Sequence, residues 1–248
     1  MAATDHEDSL PVRRHVNDTA HATETARVLA LAPMAAGHLR SARYFNAQCR
    51  DREAALVSAG KLGLDSRHRA LAIGTVFAAV AFLEAYVNEV REGAVFQHQG
   101  SPMDLSWLIG GISDAGVAAL ASAEWVTEDR ALGLPHKFQR ALKCVGKQRF
   151  AENDEPFLSA SLLIQLRNAL VHSTPEIRDL AEPSVLQTEL QRRFAPSQLG
   201  GDPWYPHRCL GAGLTQWACQ CSVEFAEAWR ARMGVAYDPV ADADRDEQ

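Results

Sequence analysis

The chain has 248 residues, 47% of them hydrophobic and 23% charged, with a net charge of −6. That length and apolar share support a buried core in one domain or two small ones, and exclude a disordered or fibrous chain. The acidic balance excludes a general basic field that would recruit nucleic acid, so any RNA contact has to be a local site.

Residues 1–22 carry no apolar periodicity and are expected to form a mobile N-terminal segment. A helical domain is expected over 23–234, followed by an acidic, loose C-terminal tail over 235–248. A first helix is predicted from Thr23 to Ala59, with a break near Pro33. A second is predicted from Ser66 to Glu92, with Asp65 or Ser66 as N-cap and Gly93 beyond its end. Its apolar run, Ala72 to Val87, is short for a membrane span and carries Glu84, which argues against a membrane partner.

The stretch from Gly100 to Ala123 holds Pro102 and Gly110-Gly111 and reads as a loop with short helices. Pro135 to Val145 reads as a helix bearing Lys137, Arg140 and Lys143, with Lys147 and Arg149 just beyond it. A further helix is predicted from Phe157 to Ser173, because Pro175 cannot continue it. Pro183 to Pro206 reads as an irregular connection around a turn or two of helix from Val185 to Phe194. A last helix is predicted from Leu214 to Met233, with Trp217, Val223, Phe225 and Trp229 in the core. The elements add up to an all-α, antiparallel helical bundle.

Five cysteines (Cys49, Cys144, Cys209, Cys219 and Cys221) are odd in number and scattered. Without a signal-peptide apolar core at the N-terminus, they fit reduced thiols in a cytoplasm. Cys219 and Cys221 point about 200° apart on a helix and cannot chelate one metal there, so they read as ordinary thiols. Trp204-Tyr205-Pro206 reads as a packing anchor rather than a base-stacking platform. No Gly-rich phosphate loop, nucleophile elbow or H-E-x-x-H motif is present, and no cofactor is implied.

Chemistry concentrates in Leu166-Arg167-Asn168-Ala169-Leu170-Val171-His172, where an Arg, an Asn and a His interrupt a Leu-rich helix. A guanidinium among Leu163, Leu166 and Leu170 needs a partner, and phosphate binding is one reason to place it there. On the second helix Ile73, Val76, Phe77, Val80 and Val87 share a stripe, with Glu84 in its middle and Asn88 on its edge. A carboxylate there is either desolvated or paired, and Arg167 is the obvious partner. Such a pair either serves a site or only fixes helix register.

Asn168 and His172 share a face with Ser161 and Gln165. Arg167 and His172 diverge by about 140° and roughly 7.5 Å of rise, so one helix presents them poorly to one atom. Two copies meeting near a two-fold axis would gather two Arg and two His around one phosphate. Taken alone, His172 also reads as a helix C-terminal histidine favoured by the macrodipole. Lys137, Arg140 and Lys143, with Asn88, are candidate RNA-binding residues, although a solvated helix face accounts for the basic set as well.

Arg167-Asn168-x-x-x-His172 resembles the Arg, polar residue and following His of the HEPN superfamily, all-helical proteins of prokaryotic toxin–antitoxin and defence systems. Phe82-Leu83-Glu84-Ala85-Tyr86-Val87-Asn88-Glu89 is similar to the earlier helix of HEPN-like proteins, and the resemblance spans roughly residues 26–234. It implies a two-fold symmetric homodimer acting as a metal-independent endoribonuclease on tRNA, mRNA or other RNA, with a cognate antitoxin as a further partner. The ribose 2′-OH would attack the adjacent phosphate to leave a 2′,3′-cyclic phosphate and a 5′-OH. His172 would be general base or acid, Arg167 would stabilise the phosphorane, Asn168 would orient either, and Glu84 would position Arg167. The alternative is a non-catalytic HEPN-like binding or assembly module in which Arg167, Glu84 and His172 form a structural network.

Overall fold

Alanine, leucine and long straight-chain polar residues dominate the periodic stretches of this chain, and all are strong helix formers. The computed structural model describes residues 32–122, 133–172 and 183–245. The expected mobile segment 1–22, the start of the first predicted helix, Ser173 and Pro175 lie outside these residues. Among the described residues there are nine α-helices and no strand, so the protein is all-α.

Helices α1 (Ala35–Ser58) and α2 (Ser66–His98) form a long hairpin. Asp65 caps α2, its side chain accepting from the backbone N–H of His68 at 2.8 Å. Short helices α3 (Ser106–Ile109) and α4 (Asp114–Ala121) follow, then α5 (Leu134–Cys144), α6 (Phe157–Val171) and α7 (Val185–Gln191). An irregular turn over Trp204–Arg208 leads into α8 (Ala212–Met233), and α9 (Pro239–Arg245) ends the described chain.

Contacts at the two ends of α2 set the directions of its neighbours. Glu53, late in α1, meets both His68 at the start of α2 and Ala212 at the start of α8. At the far end, Tyr86 of α2 packs edge-on against Trp229 of α8, ring centroids 5.0 Å apart. Thus α1 runs antiparallel to α2, whereas α8 runs beside α2 in the same direction. The bundle is not antiparallel throughout.

The core lies along this α2–α8 seam. Phe82, Tyr86, Phe138, Phe225 and Trp229 are buried, with Phe138 edge-on to both Phe225 and Trp229. The two buried polar tips are satisfied by backbone carbonyls: Tyr86 Oη donates to Tyr237 and Trp229 Nε1 to Phe138. Trp217 and Val223, expected in the core, are only half-buried.

Three expectations are corrected. Gly93 does not end α2, which continues to His98; the missing side chain instead lets α3 approach, since a Cβ there would lie 2.6 Å from Leu108 Cδ2. The apolar stripe containing Glu84 covers only one side of the core face: its Val76, Val80 and Val87 are buried, but Ile73 is half-buried and Phe77 exposed, and Ala72, Thr75, Ala79, Phe82, Leu83 and Tyr86 complete the inward surface. The tail expected to be loose forms α9, burying Val240 and Ala243, with Arg43 of α1 paired to Asp244. By length and composition α2 could cross a membrane, but 56% of its most apolar window is packed inside the protein.

Candidate functional site

Helices α2, α5 and α6 pack against one another, and their polar side chains meet along one edge of that contact. On α6, Leu163 and Leu166 are buried, and Arg167 falls at the border of this apolar face with 27% of its side chain exposed. On α2, Glu84 sits at the equivalent border, its side chain 44% exposed. The carboxylate is therefore partly wet, and of the two alternatives its stripe left open, desolvated or paired, it takes the paired one.

The structure brings these two groups together. Arg167 Nη2 lies 3.8 Å from Glu84 Oε2. From α5, Lys137 Nζ approaches the other oxygen, Oε1, at 3.6 Å, and donates to Asn88 Oδ1 at 3.4 Å. One carboxylate thus faces two cations, one on each oxygen. Both separations exceed the roughly 2.7–2.9 Å of a tight charge-assisted hydrogen bond, so the carboxylate is loosely held. Arg167 Nε is buried with no hydrogen-bond partner.

Lys137 is the residue whose position the sequence reading understated. Its side chain is only 14% exposed, so it does not belong to a solvated face. Leu134, Phe138, Ala141 and Leu142 form the buried face of α5, and Lys137, one turn from Leu134 and from Ala141, stands at its edge, where the sequence pattern is the same whether or not another helix covers it. Lys143 stands about 120° round the helix from Lys137 and is exposed, whereas Arg140 is half-buried. Arg91, which the sequence reading passed over, lies on the Glu84–Asn88 face of α2; it pairs with Glu92, and its Nε has no hydrogen-bond partner.

His172 is the C-cap of α6, its backbone N–H donating to Asn168 at 2.9 Å, and its side chain is exposed. Gln165 and Asn168 are exposed on the same stripe of α6, with Ser161 half-buried. The helix therefore carries two adjacent polar surfaces: the Arg167 edge facing Glu84 and Lys137, and an open stripe ending in His172.

The thiols offer little nucleophilic chemistry. Burial pushes Cys49, Cys209 and Cys219 up to about 12, and Cys221 is raised for the same reason. Among the described residues no group of three His, Cys, Asp or Glu is placed to hold a metal. No protein-family model, curated protein or solved structure matches this chain.

Proposed function

We propose that the chain is a HEPN-like endoribonuclease of toxin or defence type that cleaves RNA without a metal, working as a two-fold symmetric homodimer in a cytoplasm. The observation that carries this reading is the meeting of Arg167, Glu84 and Lys137 on one helix edge, beside an exposed Asn168–His172 stripe. Cations that converge loosely on one carboxylate suit a phosphodiester, whose charge a planar guanidinium matches at two oxygens.

In the reaction, the ribose 2′-oxygen bonds to the adjacent phosphorus while the P–O5′ bond breaks, leaving a 2′,3′-cyclic phosphate and a 5′-OH. The 2′-OH proton passes to one imidazole, and a second donates a proton to the departing 5′-oxygen. His172 of two copies supplies that pair, since α6 points Arg167 and His172 of one copy in different directions. Arg167 stabilises the charge that develops on the phosphorane oxygens.

A second reading, a non-catalytic HEPN-like binding or assembly module, is favoured by the closure of the Arg167–Glu84–Lys137 contacts within one chain. Incubating the purified protein with total RNA in EDTA separates the two. Fragments made by wild type and absent with Arg167→Ala and with His172→Ala support the nuclease. Intact RNA throughout supports the binding module, and cleavage that persists in both variants removes these residues from the chemistry.

A further inference from the structure

From the geometry of this edge, we infer that Glu84 is a built-in stand-in for phosphate, filling the gap between Arg167 and Lys137 until a phosphodiester displaces it. The inference rests on the phosphate-binding part of the reading above and adds a restraint on it.

A carboxylate and a phosphodiester both present two anionic oxygens on a common atom, and Glu84 offers one to each cation, at 3.6 Å from Lys137 Nζ and 3.8 Å from Arg167 Nη2. If Glu84 served to fix Arg167, a close bidentate pair would be expected, because a fork-to-fork contact restrains the guanidinium and a long single one does not. Instead the contact is long, and Arg167 Nε, a donor such a pair would use, is buried with no hydrogen-bond partner.

The two cations and the carboxylate also differ in freedom. Lys137 is 14% exposed and Arg167 27%, whereas Glu84 is 44% exposed. The cations are the more enclosed groups; the anion has solvent to turn into. Rotating Glu84 outward restores its hydration and withdraws its negative charge from both Arg167 and Lys137. A carboxylate that must leave before phosphate enters weakens phosphate binding. It thereby selects for ligands that bring further contacts, such as a longer RNA backbone.

The test uses dimethyl phosphate, a diester with no hydroxyl to transfer, titrated into the full chain and followed by ³¹P line broadening. Glu84→Gln is expected to bind it about two- to fivefold more tightly than wild type, the range of one exposed charge interaction. Adding Lys137→Ala to Glu84→Gln is expected to remove the gain. Equal or weaker binding by Glu84→Gln, with unfolding midpoints matched, overturns the inference and returns Glu84 to a positioning role. Should Glu84→Gln not fold, Glu84→Asp gives the same comparison with the same sign, because its shorter carboxylate cannot meet both cations. RNA cleavage is scored separately. Tighter phosphate binding without cleavage keeps the stand-in and removes the nuclease; cleavage with unchanged phosphate binding does the reverse.

Discussion

The carboxylate of Glu53, near the end of α1, accepts a hydrogen bond from the backbone N–H of Ala212 at the start of α8, 2.7 Å away. Helix α8 has no side-chain N-cap of its own, so a residue 159 positions earlier satisfies an orphan donor and faces the positive end of its dipole. Glu53 also accepts from His68 Nε2 at 2.8 Å, Ser197 Oγ at 2.9 Å and the Gln198 N–H at 3.0 Å. Four partners from three regions of the chain meet on one buried side chain.

Replacing this group is therefore expected to be severe. Glu53→Ala leaves buried donors on His68, Ser197, Gln198 and Ala212 without their acceptor, and should lower stability by about 3–5 kcal/mol. Urea titration of the two proteins measures this. A loss below about 1 kcal/mol would show that water or a rearranged loop replaces the carboxylate.

The same residue sets an acid limit. Burial pushes the Glu53 carboxyl up, but His68, the Ala212 and Gln198 N–H groups and Ser197 outweigh it and hold it down at about 2. In the unfolded chain a Glu titrates near about 4.3, so on acidification the unfolded state takes up the proton first. The contribution is fully present above that value and disappears as pH falls through the folded one. The stability difference between wild type and Glu53→Gln should accordingly shrink from about pH 5 towards pH 2. A difference that stays constant across that window would contradict the assignment.

Gly93 supplies a test of packing against propensity. Alanine in a helix interior is favoured over glycine by roughly 0.5–1 kcal/mol. Here, however, the new Cβ would stand 2.6 Å from Leu108 Cδ2 and 3.0 Å from Ile109 Cγ2, both on buried residues of α3. Overpacking costs about 1–3 kcal/mol, so Gly93→Ala should lower the unfolding midpoint. A raised midpoint would mean that α3 shifts away freely.

Helix existence was largely legible in the sequence, and helix termini were not. Asp65 before Ser66 is a local signal, and it caps α2 as its residue type predicts. The caps of α1 and α8 come from distant carboxylates: Glu89 of α2 accepts from the N–H of Met34 and Ala35, as Glu53 does for Ala212. No window along the chain contains both halves of such a pair. The meeting of Glu84 with Arg167 was readable because each is a charge out of place in its own periodic stripe. Lys137 was missed as an inward group because a cation at the edge of an amphipathic helix looks the same whether or not another helix covers it.

Lys137 and Lys143 should now separate sharply in RNA cleavage. Lys137 stands against Glu84 and Asn88, whereas Lys143 is exposed farther round α5. Lys137→Ala is expected to lower kcat/KM by about tenfold, the loss of one charge-assisted hydrogen bond from a largely buried group, and Lys143→Ala by less than about twofold. Equal losses, both relieved by low salt, would point to a diffuse electrostatic track instead.

If RNA is cut by its own 2′-OH under the control of Arg167 and His172, as proposed, the hydroxyl beside the scissile phosphate is indispensable. The most direct measurement is cleavage, in EDTA, of an end-labelled RNA at a mapped site, compared with the same RNA carrying a single 2′-deoxy substitution on the 5′ side of the scissile phosphate. A 2′,3′-cyclic phosphate end from the all-ribose strand and no cut at the substituted position are expected. Cleavage of the deoxy-substituted strand at the same bond would contradict the proposed reaction.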